Sequence, residues 1–430
     1  MRDLVVLLFM VGAIPLAMAS ANIAFLLWTW SGLVAVNFYV YGFMRSVPIV
    51  MVFAVITLAM LALGRVDGTQ KFKLNRTSWL LLFLIVHGLF SALFAFDGLP
   101  RNWELFSNMA KTVLLCVLMP MFITDRNRIN LFVLLLVVSV SFHGMLDGLK
   151  FIASGGGHNA VGLKKFGDNN HYALILLMVL PFIIYVYRYA EARLIRLISL
   201  GVFLLTFLAM IATHSRGALV TIVAVGVWII LVGKKKVSGL LMALVLSVLA
   251  FQLAPSNWFE RMDTIGSANE DASFMGRVTA WKRASAIALE NPVFGGGYHA
   301  GQGAGEIYEK FRYKQGLLGF VETPDTGYPA ASHSIYFEVL GDLGFVGLIL
   351  FLLCIANVFY CRYEILKIVK TRGPNYSWAE DLANFTAAGM VAYVVGGALL
   401  SAAYFELPYY LMMLMQCIKL ALEDQALKQS

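Results

Sequence analysis

Three side chains suited to phosphate and acid–base chemistry lie at separated points of the chain. They are Arg216 in THSRGALV, Arg277 in SFMGRVTAWKRA and His333 in ASHSIYFEVLGDLG. A guanidinium group binds phosphate oxygens through a planar pair of donors and keeps its charge. An imidazole can accept a proton near neutral pH. If the fold brings the three together, they can stabilise a phosphate leaving group and deprotonate a hydroxyl.

Each of these residues also has an ordinary structural explanation. Arg216 could only anchor a helix at the membrane interface. Arg277 could pair with Glu270 or Asp271 on a loop surface, and His333 could be a structural residue at a helix start. The chemical interpretation therefore depends on whether the chain places these residues on one side of a membrane.

The composition is that of an integral membrane protein. The 430 residues are 60% hydrophobic and 13% charged, with a mean hydropathy of +0.77, whereas soluble domains carry about 25% charged residues. Apolar runs long enough to cross a bilayer as helices recur along the sequence. The fold class predicted is therefore an all-α polytopic membrane protein. The net charge of +8 lies mostly in short loops and does not indicate nucleic acid.

The apolar runs predict about twelve transmembrane helices if residues 4–37 cross once, which places both termini on the cytoplasmic side. That segment could instead be a broken pair of helices, which would put the N-terminus outside. The other spans are predicted at about 47–64, 79–96, 102–123, 129–147, 172–188, 194–212, 216–233, 238–254, 336–360, 384–402 and 405–424. The resulting domains are an N-terminal bundle (1–254), a periplasmic loop region carrying the catalytic residues (255–334) and C-terminal transmembrane helices (335–430).

Loop charge decides which side each candidate faces. Short loops rich in Lys and Arg occur at every second connection, and such loops remain cytoplasmic. The large loop therefore faces out, together with Arg216 and the segment GDNNHYAL. Positive groups at that level suit a lipid-linked diphosphate, whose head group lies at the interface while its tail stays in lipid.

Further polar residues are candidates for substrate binding. Asp168, Asn169 and Asn170 could face the same site or simply form a turn or helix cap. Lys111 lies within an apolar span and could touch a phosphate or pair with another helix. Gly295–Gly297 predicts a tight turn that folds the loop back, with Tyr298 and His299 lining the cleft. Neither the four cysteines nor the carboxylates have metal-ligand spacing, so we expect no metal and no cofactor.

In the order of its motifs, the chain resembles the O-antigen ligase and polymerase superfamily. The motifs are GDNNHYAL, SRGAL, GRVTAWKRA, NPVFGGGYH and HSIYFEVLGDLGFVG. With the N-terminal MRDLVVLLF and LLWTW, the chain is most similar to the O-glycosylation ligase-like branch associated with exosortase systems.

The resemblance implies a helical fold of the GT-C type in the bacterial inner membrane. It implies transfer of a glycan from undecaprenyl diphosphate to an acceptor hydroxyl, foremost a sugar of lipid A-core, on the periplasmic face. Arg216, Arg277 and His333 match the family's two arginines and its histidine, which implies diphosphate stabilisation and general-base roles in a metal-independent, inverting transfer. Glu338 matches an acidic position that could orient the histidine or face a neighbouring helix; Asp342 carries no assigned role.

Three alternatives remain open on the sequence. Two are relatives of the same superfamily, a protein O-oligosaccharyltransferase acting on Ser or Thr and an O-antigen polymerase. The third is a transporter or flippase of lipid-linked sugars, which would use the arginines for binding alone. The absence of a visible internal repeat disfavours transport.

Overall fold

The computed structural model describes residues 1–65, 72–163, 165, 167–233, 236, 272–325 and 327–427. Within these ranges every regular element is a helix. Nine of the described helices are long and apolar enough to cross a membrane, and Ile49–Ala62 and Arg216–Val232 are shorter apolar helices. The all-α, multi-pass fold class is thus confirmed, but the count of twelve spans is not. The span expected at 238–254 lies outside the described residues.

The longer helices are numbered here in chain order. They are α1 (Arg2–Ala19), α2 (Ala21–Val34), α3 (Ile49–Ala62), α4 (Arg76–Leu93), α5 (Asn102–Phe122), α6 (Arg126–Ala153), α7 (Asn169–Tyr189), α8 (Arg193–Ala212), α9 (Arg216–Val232), α10 (Ala272–Glu290), α11 (Glu306–Phe311), α12 (Ile335–Arg372), α13 (Ser377–Gly396) and α14 (Glu406–Leu427).

The first apolar segment is a broken pair, not one long helix. Ser20 is extended (φ −150°, ψ 127°) between α1 and α2. The Asp3 carboxylate accepts the backbone N–H of Gly42 at 3.0 Å, while the N–H of Ala21 reaches the carbonyl of Arg65 at 3.3 Å. The start of α1 therefore lies beside the segment that follows α2, and the start of α2 lies beside the end of α3, as in a chain that reverses direction between successive helices. This geometry favours two crossings in the first 37 residues.

Short polar residues start several helices, as their sequence positions suggest. The Asn75 side chain caps α4 by accepting the N–H of Ser78 at 2.9 Å. Asp125 caps α6 by accepting the N–H groups of Asn127 and Arg128. Such caps satisfy N–H groups that have no partner within the helix, which matters most in a low-dielectric environment.

One end of the bundle is tied together by ion pairs, and we call it the basic end. Glu364 on α12 pairs with Arg76 at 2.5 Å and with Lys419 at 3.1 Å. Arg188 pairs with Asp381 at 2.7 Å. Arg76 and Arg188 come from the loops that the charge pattern assigns to the cytoplasm; that assignment stays a prediction.

The described part of the large loop packs on the opposite end, which we call the loop end. There the ring of Trp281 on α10 stacks on Phe337 of α12, with centroids 5.1 Å apart and planes 7° from parallel. The buried Arg283 donates to the carbonyl of Ala330 at 2.8 Å. A small separate core forms beneath α10 and α11 from Ala286, Ile287, Ala300, Ile307 and Phe311. The loop thus has its own core and a stacked contact with the membrane helices.

Helix α12 is kinked where the loop docks against it. Gly344 has φ 71° and ψ −172° inside the helix, a conformation almost restricted to glycine. At the kink the N–H of Phe345 donates to the carbonyl of Pro292 at 2.9 Å, and the N–H of Gly296 donates to Gly341 at 2.9 Å. The kink therefore frees backbone groups of α12 to bind the loop. Beyond it the helix continues to Arg372, past the span of 336–360 expected from hydropathy.

Candidate active site

His333 lies immediately before α12 and is held by two hydrogen bonds of its own backbone segment. Its N–H donates to Ser401 Oγ at 2.9 Å. The preceding carbonyl, that of Ser332, accepts the indole N–H of Trp281 at 2.6 Å. The backbone of His333 is left-handed, with φ 43°, a conformation that is uncommon for a residue with a Cβ. The backbone that carries the imidazole is therefore held by two other parts of the chain, α10 and the segment that contains Ser401.

Charged groups from two other elements surround the half-buried His333. Burial lowers the pKa of His333, and the Arg277 guanidinium lowers it further. The Asp168 carboxylate has the opposite effect and raises the pKa of His333, while His171 lowers it. The structure thus brings together Arg277 of α10, the start of α7 and His333, although they are distant in sequence.

The start of α7 is joined to the start of α9 by side-chain hydrogen bonds. Asn169 Nδ2 donates to the carbonyl of Thr213 at 2.8 Å. Asn170 Oδ1 accepts from Ser215 Oγ at 2.7 Å. Ser215 in turn caps α9 by accepting the N–H of Ala218 at 3.2 Å. Arg216 is the first residue of α9, so these bonds place it beside the Asp168–Asn170 segment.

Asp168 has a capping role as well as an electrostatic one. Its carboxylate accepts the N–H of His171 at 2.9 Å, and its Oδ1 lies 3.7 Å from His171 Nδ1. These contacts hold the pKa of Asp168 well below its usual value against the opposing effect of burial. The carboxylate is therefore charged at neutral pH. Both the cap and the site interpretation of this segment are compatible with the geometry.

The glycine turn of the large loop is fixed by Asp342. Gly295 and Gly297 have φ of 65° and 89°, as the predicted tight turn requires. The Asp342 carboxylate accepts the N–H groups of His299 at 2.9 Å and Ala300 at 3.1 Å, and the hydroxyl of Tyr404 at 2.9 Å. Asp342, to which the sequence assigned no role, thus joins the loop, α12 and the segment before α14.

Tyr298 and His299 have different environments despite being neighbours. Tyr298 is fully buried, with its ring centroid 4.8 Å from that of Tyr404 and its N–H bonded to Asn102 Oδ1 at 2.9 Å. The structure places Tyr298 in the core, whereas the sequence suggested that it lines the cleft. His299 does face a cavity, and burial and the Arg101 charge lower its pKa.

A cavity of about 700 Å³ adjoins the His333 region. Two of its lining residues contact or influence His333, namely Ser401 and His171. Three of the sequence candidates also line it: Lys111, His299 and Glu338. A cavity of this size with several polar groups is typical of a small-molecule or glycan site.

Glu338 and Lys111 line that cavity from different helices. Glu338 Oε2 accepts the N–H of Ala403 at 2.9 Å, so its carboxylate holds the segment that carries Ser401. Lys111 shares one face of α5 with Glu104, Asn108 and Leu115, which also line the cavity. An ionisable residue within an apolar helix usually faces such a cavity. The roles of both residues in substrate binding stay predictions.

Arg216 and Arg277 are not among the residues lining the cavity. They belong instead to the surroundings of His333 and of the joined starts of α7 and α9. Glu270 and Asp271, the alternative partners of Arg277, lie outside the described residues. Among the residues that are described, His, Cys, Asp and Glu nowhere gather in a group of three that could hold a metal ion.

The sequence missed three residues that the structure brings to His333. His171 and Trp281 lie inside the segments GDNNHYAL and GRVTAWKRA, but nothing in those local sequences indicates that they are near His333. Ser401 lies between two apolar segments, and no motif around it indicates a functional role. Its importance follows only from the contact with the His333 N–H.

Two family models match parts of the chain. Residues 201–352 match a family model described as O-Antigen ligase, and residues 1–191 match a family of unknown function. No curated protein matches the chain. The protein is therefore a multi-pass membrane protein with an O-antigen ligase domain, a domain type that implies glycan transfer. Arg216, Arg277 and His333 all fall within the matched 201–352 segment.

Proposed function

We propose that this chain, with its O-antigen ligase domain at residues 201–352, is a glycosyltransferase of the bacterial inner membrane. It takes a glycan from undecaprenyl diphosphate and transfers it to an acceptor hydroxyl on the periplasmic face. A sugar of lipid A-core is the acceptor we expect first. By its motifs we place the chain in the O-glycosylation ligase-like branch associated with exosortase systems.

The observation that carries this proposal is the convergence of Arg277 and Asp168 on His333. The link from Asn170 to Ser215 adds Arg216 to the same region. An arginine acting on a histidine, with a second arginine at the adjoining start of α9, can provide both halves of a transfer reaction: charge stabilisation for a diphosphate and a base for a hydroxyl.

In the proposed reaction, the acceptor oxygen attacks the anomeric carbon from the face opposite the diphosphate. The new glycosidic bond forms while the bond from the anomeric carbon to the diphosphate oxygen breaks, and that oxygen keeps the electron pair. The acceptor proton passes to His333. A single displacement of this kind inverts the configuration at the anomeric carbon.

Arg216 and Arg277 stabilise the charge that develops on the diphosphate, the function that a divalent cation has in other enzymes. Their planar donors match two phosphate oxygens at once. The lowered pKa of His333 keeps its imidazole neutral, and so able to accept a proton, at neutral pH. General-base assistance of this kind contributes about 10²–10⁴ in rate.

The cavity beside His333 supports a membrane-borne acceptor over a soluble one. Its lining includes Phe38 and Val50, whose side chains are exposed on the surface of the bundle. It also includes polar groups of α5, among them Lys111. A glycolipid could enter from the bilayer with its sugars directed toward His333, whereas a soluble protein would not need that route.

Reconstitution with an undecaprenyl-diphosphate glycan tests the proposal. Lipid A-core, a Ser/Thr-containing protein and additional donor are supplied in separate reactions, and the product is identified by mass. Product with lipid A-core supports the ligase, and product with the other acceptors identifies a protein transferase or a polymerase. Movement of donor across the vesicle without any product would instead support transport.

Substitution of the three central residues tests the mechanism. His333→Ala should lower transfer by about 10²–10⁴ at equal expression. Arg216→Lys and Arg277→Lys should each lower it too, because an ammonium cannot reproduce the paired donors. Arg188→Lys, at the basic end, is the matched control and should transfer normally. Unchanged turnover in His333→Ala would remove the histidine from the mechanism.

A further inference from the structure

The segment around His333 has its backbone fixed from two sides. On one side Trp281 Nε1 donates to the carbonyl of Ser332 at 2.6 Å. On the other side Ser401 Oγ accepts the N–H of His333 at 2.9 Å. Between these two bonds the backbone of His333 has φ 43°. A left-handed non-glycine residue persists only where its surroundings hold it, and such residues cluster at functional sites.

Trp281 also belongs to the helix that carries Arg277. The two residues are four positions apart on α10, so their side chains lie on the same face of the helix. The Trp281 ring stacks on Phe337, with centroids 5.1 Å apart, and Phe337 is four residues beyond His333 in the sequence. One side chain therefore connects the helix of Arg277 to the backbone of His333.

We propose that Trp281 is a positioning residue that sets the spacing between Arg277 and His333, with Ser401 fixing the histidine from the opposite side. This inference rests on the proposed glycan transfer. The indole ring gives the contact with α12, and its N–H fixes the Ser332 carbonyl. Because the Trp281 N–H and the Trp281 ring both contact the His333 segment or α12, they fix the position of α10 relative to His333. Arg277 and His333 therefore keep a constant spacing.

The stacking and the hydrogen bond of Trp281 can be separated experimentally. Trp281→Phe keeps an aromatic ring against Phe337 but removes the N–H. A misplacement of about 1 Å at a reacting group can lower a rate about 10²-fold. We therefore expect a fall in kcat of about 10- to 100-fold, with KM for the donor changed little, because the arginines that bind the diphosphate remain.

Trp228→Phe is the matched control. Trp228 likewise donates its indole N–H to a backbone carbonyl, that of Asn384, at 3.3 Å. It lies on α9 twelve positions beyond Arg216, about 18 Å along the helix axis. Trp228→Phe should transfer at the rate of the unmodified protein. An equal loss in the two variants would show a general effect of removing an indole N–H and would overturn the inference.

A double substitution distinguishes positioning from any other effect of Trp281. If Trp281 acts through His333, Trp281→Phe should lower transfer in the unmodified protein and have no further effect in His333→Ala. A loss of the same factor in both backgrounds would overturn the inference. Failure of the unmodified protein to transfer glycan to any acceptor would contradict the proposed function itself. Full activity in Trp281→Phe alone contradicts only the positioning role.

Ser401 provides a second measurement that does not depend on the tryptophan. Ser401→Ala removes the acceptor of the His333 N–H and should lower kcat, whereas Ser401→Thr keeps a hydroxyl and should restore most of it. Ser199→Ala is the control, because Ser199 donates to the carbonyl of Ile195 within α8, away from the site. Equal activity of the Ala and Thr variants at position 401 would count against the role of this bond.

Discussion

Gly344 and Gly373 allow the docking of the loop to be measured separately from backbone strain. The two glycines have nearly the same conformation, with φ 71° and ψ −172° at Gly344 and φ 85° and ψ −171° at Gly373. A Cβ at Gly373 would meet nothing within 4 Å. A Cβ at Gly344 would lie 2.7 Å from the carbonyl oxygens of both Pro292 and Val293. Substitution by Ala therefore imposes the same backbone strain at both positions, but a steric clash only at Gly344.

The expected magnitudes follow from these contacts. The strained conformation alone costs about 1–3 kcal/mol for a residue with a side chain, and Gly373→Ala should show this much destabilisation. In Gly344→Ala the new Cβ is too close to backbone oxygens that cannot rotate away. Overpacking of this kind adds about 1–3 kcal/mol. The difference between the two variants measures how firmly the loop is held against the kink of α12.

The assay compares both variants in detergent by thermal unfolding and by glycan transfer. Gly344→Ala should unfold at the lower temperature. It should also lose transfer, because the displaced 292–297 segment directly follows α10, which carries Arg277. Gly373→Ala, at the basic end, should transfer normally. Equal shifts in unfolding temperature, or full transfer by Gly344→Ala, would refute the docking of the loop at the kink.

Three further predictions concern the site and the opposite end of the bundle. The transfer rate should rise with pH as His333 loses its proton. This rise should move to higher pH in Arg277→Gln, which removes a charge that lowers the pKa of His333, and to lower pH in Asp168→Asn, which removes a charge that raises it. Shifts of the pH profile in the same direction in both variants would contradict this arrangement of charges. Ser215→Ala should cost about 1 kcal/mol through the lost cap of α9 and lower transfer, whereas Ser215→Thr should restore both when unfolding and turnover are measured. Glu364→Gln should weaken two ion pairs at the basic end and lower the free energy of unfolding by about 1 kcal/mol. Glycan transfer should be unchanged. A loss of transfer in this variant would show that the two ends of the bundle are coupled.

Much of the local structure follows directly from residue type and spacing. Asp125 and Asp168 precede apolar runs, and both cap the helices that follow. The glycines of NPVFGGGYH make the expected tight turn. Hydropathy indicated the α-helical, multi-pass class, since only a helix satisfies its own backbone within a lipid bilayer. A continuous apolar run does not reveal where a chain reverses, so hydropathy alone does not determine that residues 4–37 form two helices.

Other features of the site depend on contacts between distant residues. Tyr298 is adjacent to His299, yet one is buried against Tyr404 and the other faces the cavity. The local sequence LGDLG indicates no partner for Asp342, but its carboxylate accepts three hydrogen bonds from two other segments. No local pattern predicts such a partner, because the partner comes from another part of the chain.

The sequence by itself determined the membrane class, the order of the motifs and the types of residue available for chemistry. Composition and hydrophobic periodicity decide those properties locally. Only the tertiary structure decided that Asp168 and Arg277 flank His333, and that Trp281 and Ser401 hold its backbone. The reason is physical: the pKa of an imidazole and the direction in which it points depend on burial and on charges supplied through space, and the sequence order does not fix those distances.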